Sequence, residues 1–290
     1  MKLGLGAAQF GMDYGVTNAG GRTSAEEIRR ILDIAGRCGV EIIDTASGYG
    51  DSEQVLGEIL EGDPTYKIVT KTPDWKGEPP EDAGHQVKEV FERSLKLLRR
   101  NSVYGLLVHN ADDMISGRGD DIWLTLKELQ DRGLIQKIGV SVYTGLQIDH
   151  VLERSRPDII QLPLNVLDQR LQKSGHLEEL RARRIQVLVR SVFLQGLLLI
   201  EPSLIPDHLS ALRGSLTAFR DEARNSKLTP LEAALAYVQS LPGVDAVVVG
   251  ATTIEEFESV AAAFETLTDT NLDWASLAAN NEAWVDPRNW

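Results

Sequence analysis

Short runs of Val, Ile and Leu recur along the chain, and each run is followed by a segment whose apolar residues keep helical spacing. Runs that are apolar at nearly every position are typical of strands buried on both faces, and their alternation with helices predicts a parallel sheet. The predicted strands comprise residues 3–8, 41–46, 67–72, 103–109, 136–142, 158–164, 186–192 and 244–250. The predicted helices comprise residues 24–38, 52–60, 87–98, 122–131, 147–155, 176–184, 230–240 and 254–264.

Eight strand–helix units in succession favour a closed (β/α)8 TIM barrel of the α/β class over an open doubly wound sheet. A single barrel domain is predicted over residues 1–290, with an insertion after the seventh strand at about 197–228 and a tail at about 266–290 that carries Trp274, Trp284 and Trp290. Ser24 is a predicted N-cap with Glu27 as its capping-box partner. In such a barrel, chemistry is expected at the carboxyl ends of the strands and in the loops that follow them.

The composition of the chain narrows its possible partners. Its 290 residues have a formal net charge of −13 and contain no long block of Lys and Arg, so neither nucleic acid nor a membrane surface is expected as a partner. Cys38 is the one cysteine; it cannot form an internal disulfide, which favours a reducing compartment. The first residues lack an apolar stretch of signal-peptide length, and residues 187–200 are interrupted by Arg190 and Gln195. A cytoplasmic location is therefore expected.

Polar residues stand at the ends of three of the apolar runs. Asp44 follows the second run within I-I-D-T-A-S-G-Y-G-D-S-E, Lys71 the third within K-I-V-T-K-T-P, and His109 the fourth within L-L-V-H-N. A buried Asp or Lys is costly unless it is paired, so we expect Asp44 and Lys71 to form an ion pair. Tyr49 follows Asp44 closely enough to reach the same opening.

Together these side chains can protonate a carbonyl oxygen. A tyrosine phenol has a pKa of about 10, and a neighbouring ammonium is expected to lower it towards a useful range. Tyr49 is therefore the candidate general acid, tuned by Lys71, which Asp44 orients. His109 is placed to hydrogen-bond the substrate oxygen. Taken singly, each residue has an ordinary structural interpretation; together, at the catalytic face of a predicted barrel, they favour catalysis.

The motifs D-T-A-S-G-Y-G-D-S-E, T-K-T-P and L-V-H-N, in this order, resemble the catalytic motifs of the aldo-keto reductase superfamily. The similarity extends over most of the chain, through G-L-G-A-A-Q-F-G, G-L-I-Q-K-I-G-V-S and V-V-V-G-A-T-T-I-E-E-F-E. The resemblance implies a barrel and a nicotinamide cofactor, NADP(H) or NAD(H), bound without a Rossmann domain. It also implies a small-molecule carbonyl substrate, reversibly reduced to an alcohol by the tetrad Asp44, Tyr49, Lys71 and His109.

The resemblance also marks residues that would hold the nicotinamide half of the cofactor. Ser141 and Gln161 match positions that bind the carboxamide, but the family's usual Asn is replaced by Val142. Arg190 falls where many members carry an aromatic ring against the nicotinamide. The segment R-S-V-F-L-Q-G-L-L resembles the loop over the cofactor pyrophosphate, in which the matching positions are Ser191, Phe193, Gln195 and Gly196.

The phosphate end of the cofactor would lie after the eighth strand, at Gly250, Thr252, Thr253 and Glu256. The amino end of the following helix is expected to present free N–H groups to an anion beside Gly250. The family usually grips the 2′-phosphate of NADP(H) with basic residues here, whereas this chain has Glu256 at the position of the usual Arg. A carboxylate facing a phosphate weakens NADP(H) binding, so NAD(H) is an alternative cofactor.

Two functions are compatible with the sequence. The first is an NAD(P)H-dependent reductase of aldehydes or ketones. The second is a binding or regulatory protein that keeps the fold and senses the cofactor with little or no turnover. The departures from the family pattern at Val142, Arg190 and Glu256 motivate this alternative. A metal site is not expected, because the histidines outside the tetrad lack ligand spacing: His85, His150, His176 and His208.

Overall fold

Eight parallel strands close into a barrel in the computed structural model, which describes residues 1–266 and 272–290. The strands are β1 (Lys2–Gly6), β2 (Ile42–Asp44), β3 (Lys67–Lys71), β4 (Val103–Val108), β5 (Ile135–Ser141), β6 (Ile159–Pro163), β7 (Gln186–Arg190) and β8 (Ala246–Gly250). They follow the order of the chain around the barrel, and β8 pairs with β1 to close it. The predicted (β/α)8 barrel is confirmed, and each predicted strand overlaps an observed one.

Helices cover the outside of the barrel. The described residues form α1 (Ala8–Gly11), α2 (Ala25–Arg37), α3 (Ser52–Leu60), α4 (Ala83–Leu97), α5 (Ala111–Ile115), α6 (Gly119–Asp131), α7 (Gly145–Arg154), α8 (Arg170–Lys173), α9 (His176–Ala182), α10 (Arg213–Asn225), α11 (Pro230–Gln239), α12 (Ile254–Thr266) and α13 (Glu282–Val285). The predicted helices correspond to α2, α3, α4, α6, α7, α9, α11 and α12. None of the helices in these residues is long and apolar enough to cross a membrane.

The remaining helices were not predicted from the sequence. Helix α10 lies inside the segment assigned to the insertion after β7, where it buries Leu216, Phe219 and Ala223. Pro202 and Pro206 concealed it, because they mark the short 3-10 turns that precede it. Helices α1, α5, α8 and α13 have only four or five residues, too few for an apolar period to be recognised.

The N-cap of α2 forms as predicted, because Ser24 Oγ accepts the Glu27 N–H at 3.2 Å. The reciprocal half of the predicted capping box is wrong: the Glu27 carboxylate accepts instead from the N–H of Ile254, the first residue of α12. Because α2 and α12 are neighbours on the outside of the barrel, this bond joins their amino ends. A complete capping box forms at Thr229 and Glu232, where α11 begins.

Strand alternation builds the inside of the barrel in layers. A cluster of buried apolar side chains, separate from the main core, comprises Ile42, Val69, Leu107, Ile159, Leu188 and Ala246. Alternate residues of a strand face the same side, so residues two positions further on form the next layer towards the carboxyl ends. That layer includes Asp44, Lys71, His109, Gln161 and Arg190. The apolar cluster therefore forms the floor beneath the polar mouth of the barrel.

Helices α3 and α4 approach closely at Gly57, where an added Cβ atom would lie 1.9 Å from the Leu97 carbonyl oxygen. We expect Gly57→Ala to lower the free energy of unfolding by about 1–3 kcal/mol, as overpacking of a rigid contact does. Gly214→Ala is the matched control, because Gly214 is also helical but has no atom within 4 Å of the added Cβ. Helix propensity makes that variant neutral or more stable by up to about 1 kcal/mol. Equal urea unfolding midpoints for the two variants would contradict this description of the packing.

Candidate active site

Asp44 and Lys71 form the predicted ion pair in the barrel mouth. Lys71 Nζ donates to Asp44 Oδ1 at 2.7 Å, to Asp44 Oδ2 at 2.8 Å and to the Thr45 carbonyl oxygen at 2.8 Å. The Lys71 side chain is only 1% exposed and the Asp44 side chain 7%, so these bonds replace water around both charges. Burial lowers the pKa of Lys71, and the Asp44 carboxylate opposes that shift. The three donated bonds use every hydrogen of a lysine ammonium.

Tyr49 lies beside this pair, in the loop that follows β2. Lys71 Nζ is 5.0 Å from the centre of the Tyr49 ring. The Tyr49 side chain lines a cavity in the mouth. Burial raises the pKa of the Tyr49 phenol, and the Asp44 carboxylate raises it further. The expected lowering of this pKa by Lys71 is wrong, because Asp44 neutralises the ammonium at hydrogen-bonding distance. Tyr49 is therefore a neutral phenol near neutral pH and a potential proton donor.

His109 packs edge-on against the Tyr49 ring, with the ring centres 5.7 Å apart. Burial, followed by the charge of Lys71, lowers the pKa of His109 to about 4. The imidazole is thus uncharged near neutral pH and keeps one N–H that it can donate. The backbone N–H of His109 donates to Thr72 Oγ1 at 3.2 Å, which fixes the start of the loop after β4.

The loop that carries Tyr49 is held by contacts that the sequence did not indicate. Ser52 Oγ, at the end of this loop, donates to the Ala7 carbonyl oxygen at 2.7 Å. Gly50 has a φ of 54° and lies so near Gly11 that an added Cβ would be 2.3 Å from the Gly11 carbonyl oxygen. Only glycine fits such a position without displacement. The loop after β1 therefore positions the loop after β2.

Two guanidinium groups contact one aromatic ring at the edge of the mouth. The Cζ atoms of Arg190 and Arg288 each lie 4.2 Å from the centre of the Tyr143 ring. Arg288 pairs with the Asp286 carboxylate at 2.6 Å, whereas Arg190 has no carboxylate partner among the described residues. Arg190 Nη2 donates to the Val142 carbonyl oxygen at 3.3 Å. Tyr143 and Arg288 were missed because no local pattern signals a contact between the β5 loop and the tail.

A cavity of about 510 Å³ runs from Asp44, Tyr49 and Arg190 at the barrel mouth to Glu256 on α12. Eight of the residues that the resemblance assigned to the cofactor line this cavity: Arg190, Ser191, Phe193, Gln195, Gly196, Gly250, Thr252 and Glu256. Outside its lining lie Ser141, Gln161 and Thr253, together with Lys71 and His109 of the predicted tetrad. In residues 1–266 and 272–290, no group of three or more His, Cys, Asp or Glu side chains is arranged to hold a metal ion.

The loop after β7 turns sharply over this cavity. Ser191, Leu194 and Gln195 have φ values of 59°, 49° and 54°, in a region that residues other than glycine rarely adopt. Thr17 Oγ1 donates to the Gln195 carbonyl oxygen at 3.2 Å, which ties this loop to the one after β1. Backbone strain of this kind persists where the surroundings impose it, and it is concentrated at binding sites. The β1 loop also lines the cavity through Gln9, Tyr14 and Asn18, none of which was predicted.

Gln161 carries a buried hydrogen-bond acceptor at the floor of the mouth. Its Nε2 donates to Asp44 Oδ1 at 2.8 Å, but its Oε1 has no hydrogen-bond partner among the described residues. Ser141 lies beside it, because the two residues pair across β5 and β6. An unpaired buried amide oxygen is costly, so this position suits a ligand that brings an N–H group.

The amino end of α12 is occupied by the chain's own side chains. Glu256 Oε2 accepts from the Thr252 N–H at 2.7 Å and from Thr252 Oγ1 at 2.9 Å. The Ile254 N–H donates to Glu27, and the Glu256 N–H donates to Thr253 Oγ1. The expectation that this helix end presents free N–H groups to an anion is therefore wrong for these amides. The Glu255 and Glu256 carboxylates, which line this end of the cavity, give it negative charge.

Known proteins share the sequence pattern. The chain matches the Aldo/keto reductase family over residues 2–281. It is 31% identical over 206 residues to "Aldo-keto reductase YhdN" of Bacillus subtilis, covering 68% of this chain. The match spans 60% of that relative's length, less than two thirds of it. It is 32% identical over 189 residues to the "NADH-specific methylglyoxal reductase" of Escherichia coli, covering 57% of this chain and 56% of that protein.

Solved structures share the fold. The holo form of aldo-keto reductase AKR11C1 from Bacillus halodurans superposes with a TM-score of 0.77 at 22% identity, covering 99% of this chain and 94% of the other. The match to the family pattern extends over nearly the whole chain, so the protein belongs to the aldo/keto reductase family.

Proposed function

We propose that this protein reduces an aldehyde or ketone to an alcohol with a nicotinamide cofactor, and that Tyr49 is the general acid. One observation carries the proposal: the neutral Tyr49 phenol faces the cavity beside the buried Asp44–Lys71 pair. A protonated phenol at the open end of a barrel can donate to a carbonyl oxygen. Membership of the aldo/keto reductase family supports the same chemistry.

The residues around the cavity fit a nicotinamide cofactor. Next to the barrel end, although outside the lining of the cavity, Gln161 Oε1 offers the acceptor that a carboxamide N–H requires, and Ser141 is its neighbour across β5 and β6. The strained loop of residues 191–196 would flank the pyrophosphate, and Gly250, with the start of α12, would receive the adenosine end. When bound, the nicotinamide supplies a hydride to the carbonyl carbon.

Tyr49 supplies the proton that balances this hydride. The phenol O–H bond breaks and an O–H bond forms on the carbonyl oxygen, so a carbonyl compound, NAD(P)H and one proton give an alcohol and NAD(P)+. The phenolate left on Tyr49 is stabilised by the Arg190 guanidinium, whose positive charge lowers the pKa of this phenol, until solvent returns the proton. His109, uncharged near neutral pH, donates a hydrogen bond to the same oxygen. The reverse sequence oxidises an alcohol.

We further propose that NAD(H) is preferred over NADP(H). Glu255 and Glu256 line the cavity at the amino end of α12, the part assigned to the adenosine ribose, and the Glu27 carboxylate accepts from the first amide of the same helix. A 2′-phosphate there would meet negative charge and would find the Ile254 and Glu256 amides already used. The name of the Escherichia coli relative, an NADH-specific reductase, agrees with this preference.

A cofactor-sensing protein with little turnover is the second candidate. Its support is the pair Val142 and Arg190. Val142 replaces the family's usual Asn, and the Arg190 guanidinium donates to the Val142 carbonyl oxygen at the mouth. This candidate predicts that cofactor binds tightly while a broad panel of aldehydes and ketones is left unreduced. Steady turnover of any member of that panel favours the reductase.

Removing the Tyr49 hydroxyl tests the general acid. We expect Tyr49→Phe to lower kcat by about 100-fold to 10,000-fold, the contribution of a positioned proton donor, while NADH still binds. Tyr104→Phe is the matched control, because the Tyr104 hydroxyl bonds Gln186 near the opposite end of the barrel. Full turnover by Tyr49→Phe, measured with a carbonyl compound that the unmutated protein reduces, would show that Tyr49 is not the acid.

Reversing the charge of Glu256 tests the cofactor preference. We expect Glu256→Arg to tighten NADPH binding by about tenfold or more and to leave NADH binding within about twofold, because only NADPH carries the 2′-phosphate. Glu258→Arg makes the same charge change on an exposed residue of α12 that does not line the cavity. Fluorescence titrations with both nucleotides measure the effect. An NADPH affinity that Glu256→Arg does not change, or that Glu258→Arg improves equally, contradicts the assignment.

A further inference from the structure

The charge at the barrel end of the cavity bears on the oxidation state of the cofactor. Hydride transfer requires the reactive carbon of the nicotinamide to lie next to a carbonyl group that also reaches Tyr49. The ring must therefore occupy the end of the cavity lined by Tyr49 and Arg190. We infer that Arg190 makes this protein bind reduced nicotinamide cofactor more tightly than oxidised cofactor. This inference rests on the proposed function and deepens it.

Arg190 is the source of uncompensated charge beside the ring. Lys71 and Asp44 neutralise each other at 2.7 Å. His109 is uncharged near neutral pH, because burial lowers its pKa to about 4, and Tyr49 is a neutral phenol. Arg190 has no carboxylate partner among the described residues. The barrel end of the cavity therefore carries a net positive charge before any ligand binds.

The guanidinium group is held in this position. Arg190 is the last residue of β7 and pairs with Pro163 of β6, so its backbone is fixed by the barrel. Its Cζ lies 4.2 Å from the centre of the Tyr143 ring, and Nη2 donates to the Val142 carbonyl oxygen at 3.3 Å. The same ring is contacted by Arg288, whose charge is offset by the Asp286 carboxylate. The Arg190 guanidinium cannot move far from the barrel end of the cavity without giving up its contacts with Tyr143 and Val142.

The two forms of the cofactor differ in charge only at the nicotinamide. The oxidised ring is positive and the reduced ring is neutral, whereas the pyrophosphate is the same in both. Attraction between Arg190 and the pyrophosphate therefore cancels in the ratio of the two dissociation constants, and repulsion of the oxidised ring remains. We expect Kd for NAD+ to exceed Kd for NADH by about tenfold or more, where tenfold is about 1.4 kcal/mol. The same reasoning applies to NADP+ and NADPH, so it does not depend on Glu256.

Calorimetric titration of the full chain with NADH, with NAD+ and with NADPH tests the inference without using turnover. Arg190→Met removes the charge and keeps a long apolar stem, whereas Arg190→Lys keeps the charge. We expect the NAD+/NADH ratio of dissociation constants to fall by about tenfold in Arg190→Met and to stay near that of the unmutated protein in Arg190→Lys. The unmutated protein provides a measurement that needs no variant to fold.

Each outcome has a distinct meaning. A ratio near one in the unmutated protein, or a ratio that Arg190→Met leaves unchanged while both nucleotides still bind, overturns the role of Arg190 and leaves the proposed function intact. If neither NADH nor NADPH binds to the unmutated protein, the proposed function itself fails. A large ratio that is lost in Arg190→Met and kept in Arg190→Lys establishes the role of the charge.

Discussion

The ion pair between Asp44 and Lys71 is the interaction on which the rest of the barrel mouth depends. Both side chains are almost completely removed from water, and losing one partner of such a pair costs about 3–5 kcal/mol because the other charge stays buried. Hydrogen bonds complete the pair on both sides, since Lys71 also donates to Thr45 and Gln161 donates to Asp44. The pair thereby orients Gln161 with its Oε1 unpaired. Its Asp44 carboxylate also raises the pKa of Tyr49, which keeps this phenol protonated near neutral pH.

The polar residues of the barrel mouth could be predicted from the sequence, because the side of a strand that a residue faces depends only on its position within that strand. Each of Asp44, Lys71 and His109 stands two positions beyond a residue of the apolar floor, so a polar residue at the end of an apolar run marks the inward-facing mouth. The barrel followed from counting strand–helix units, and small errors at element boundaries left that count unchanged. The acidic character of the α12 end was likewise visible at Glu256.

Contacts between residues far apart in the chain could not be predicted in this way. Nothing near Glu27 indicates that its carboxylate bonds the first amide of α12, and nothing near Tyr143 indicates that Arg190 and Arg288 contact its ring. The pKa of Tyr49 was mispredicted because it depends first on how deeply the fold buries the phenol, and burial at this position is not visible in the local sequence. Arg190 and Glu256 give the cavity opposite charge at its two ends. Glu256 was visible in the sequence, whereas nothing near Arg190 indicated that it would lack a carboxylate partner among the described residues.

The most direct measurement of the central claim is the fate of the hydride. The unmutated protein would be incubated with NADH carrying two deuterium atoms at C4 of the nicotinamide and with a panel of aldehydes and ketones that includes methylglyoxal. Mass spectrometry of the products locates the label. We predict an alcohol with one deuterium on the former carbonyl carbon and none on its oxygen after exchange with water. Binding of NADH with no alcohol formed from any member of the panel, or an alcohol without deuterium, would contradict the assignment of this barrel as a carbonyl reductase.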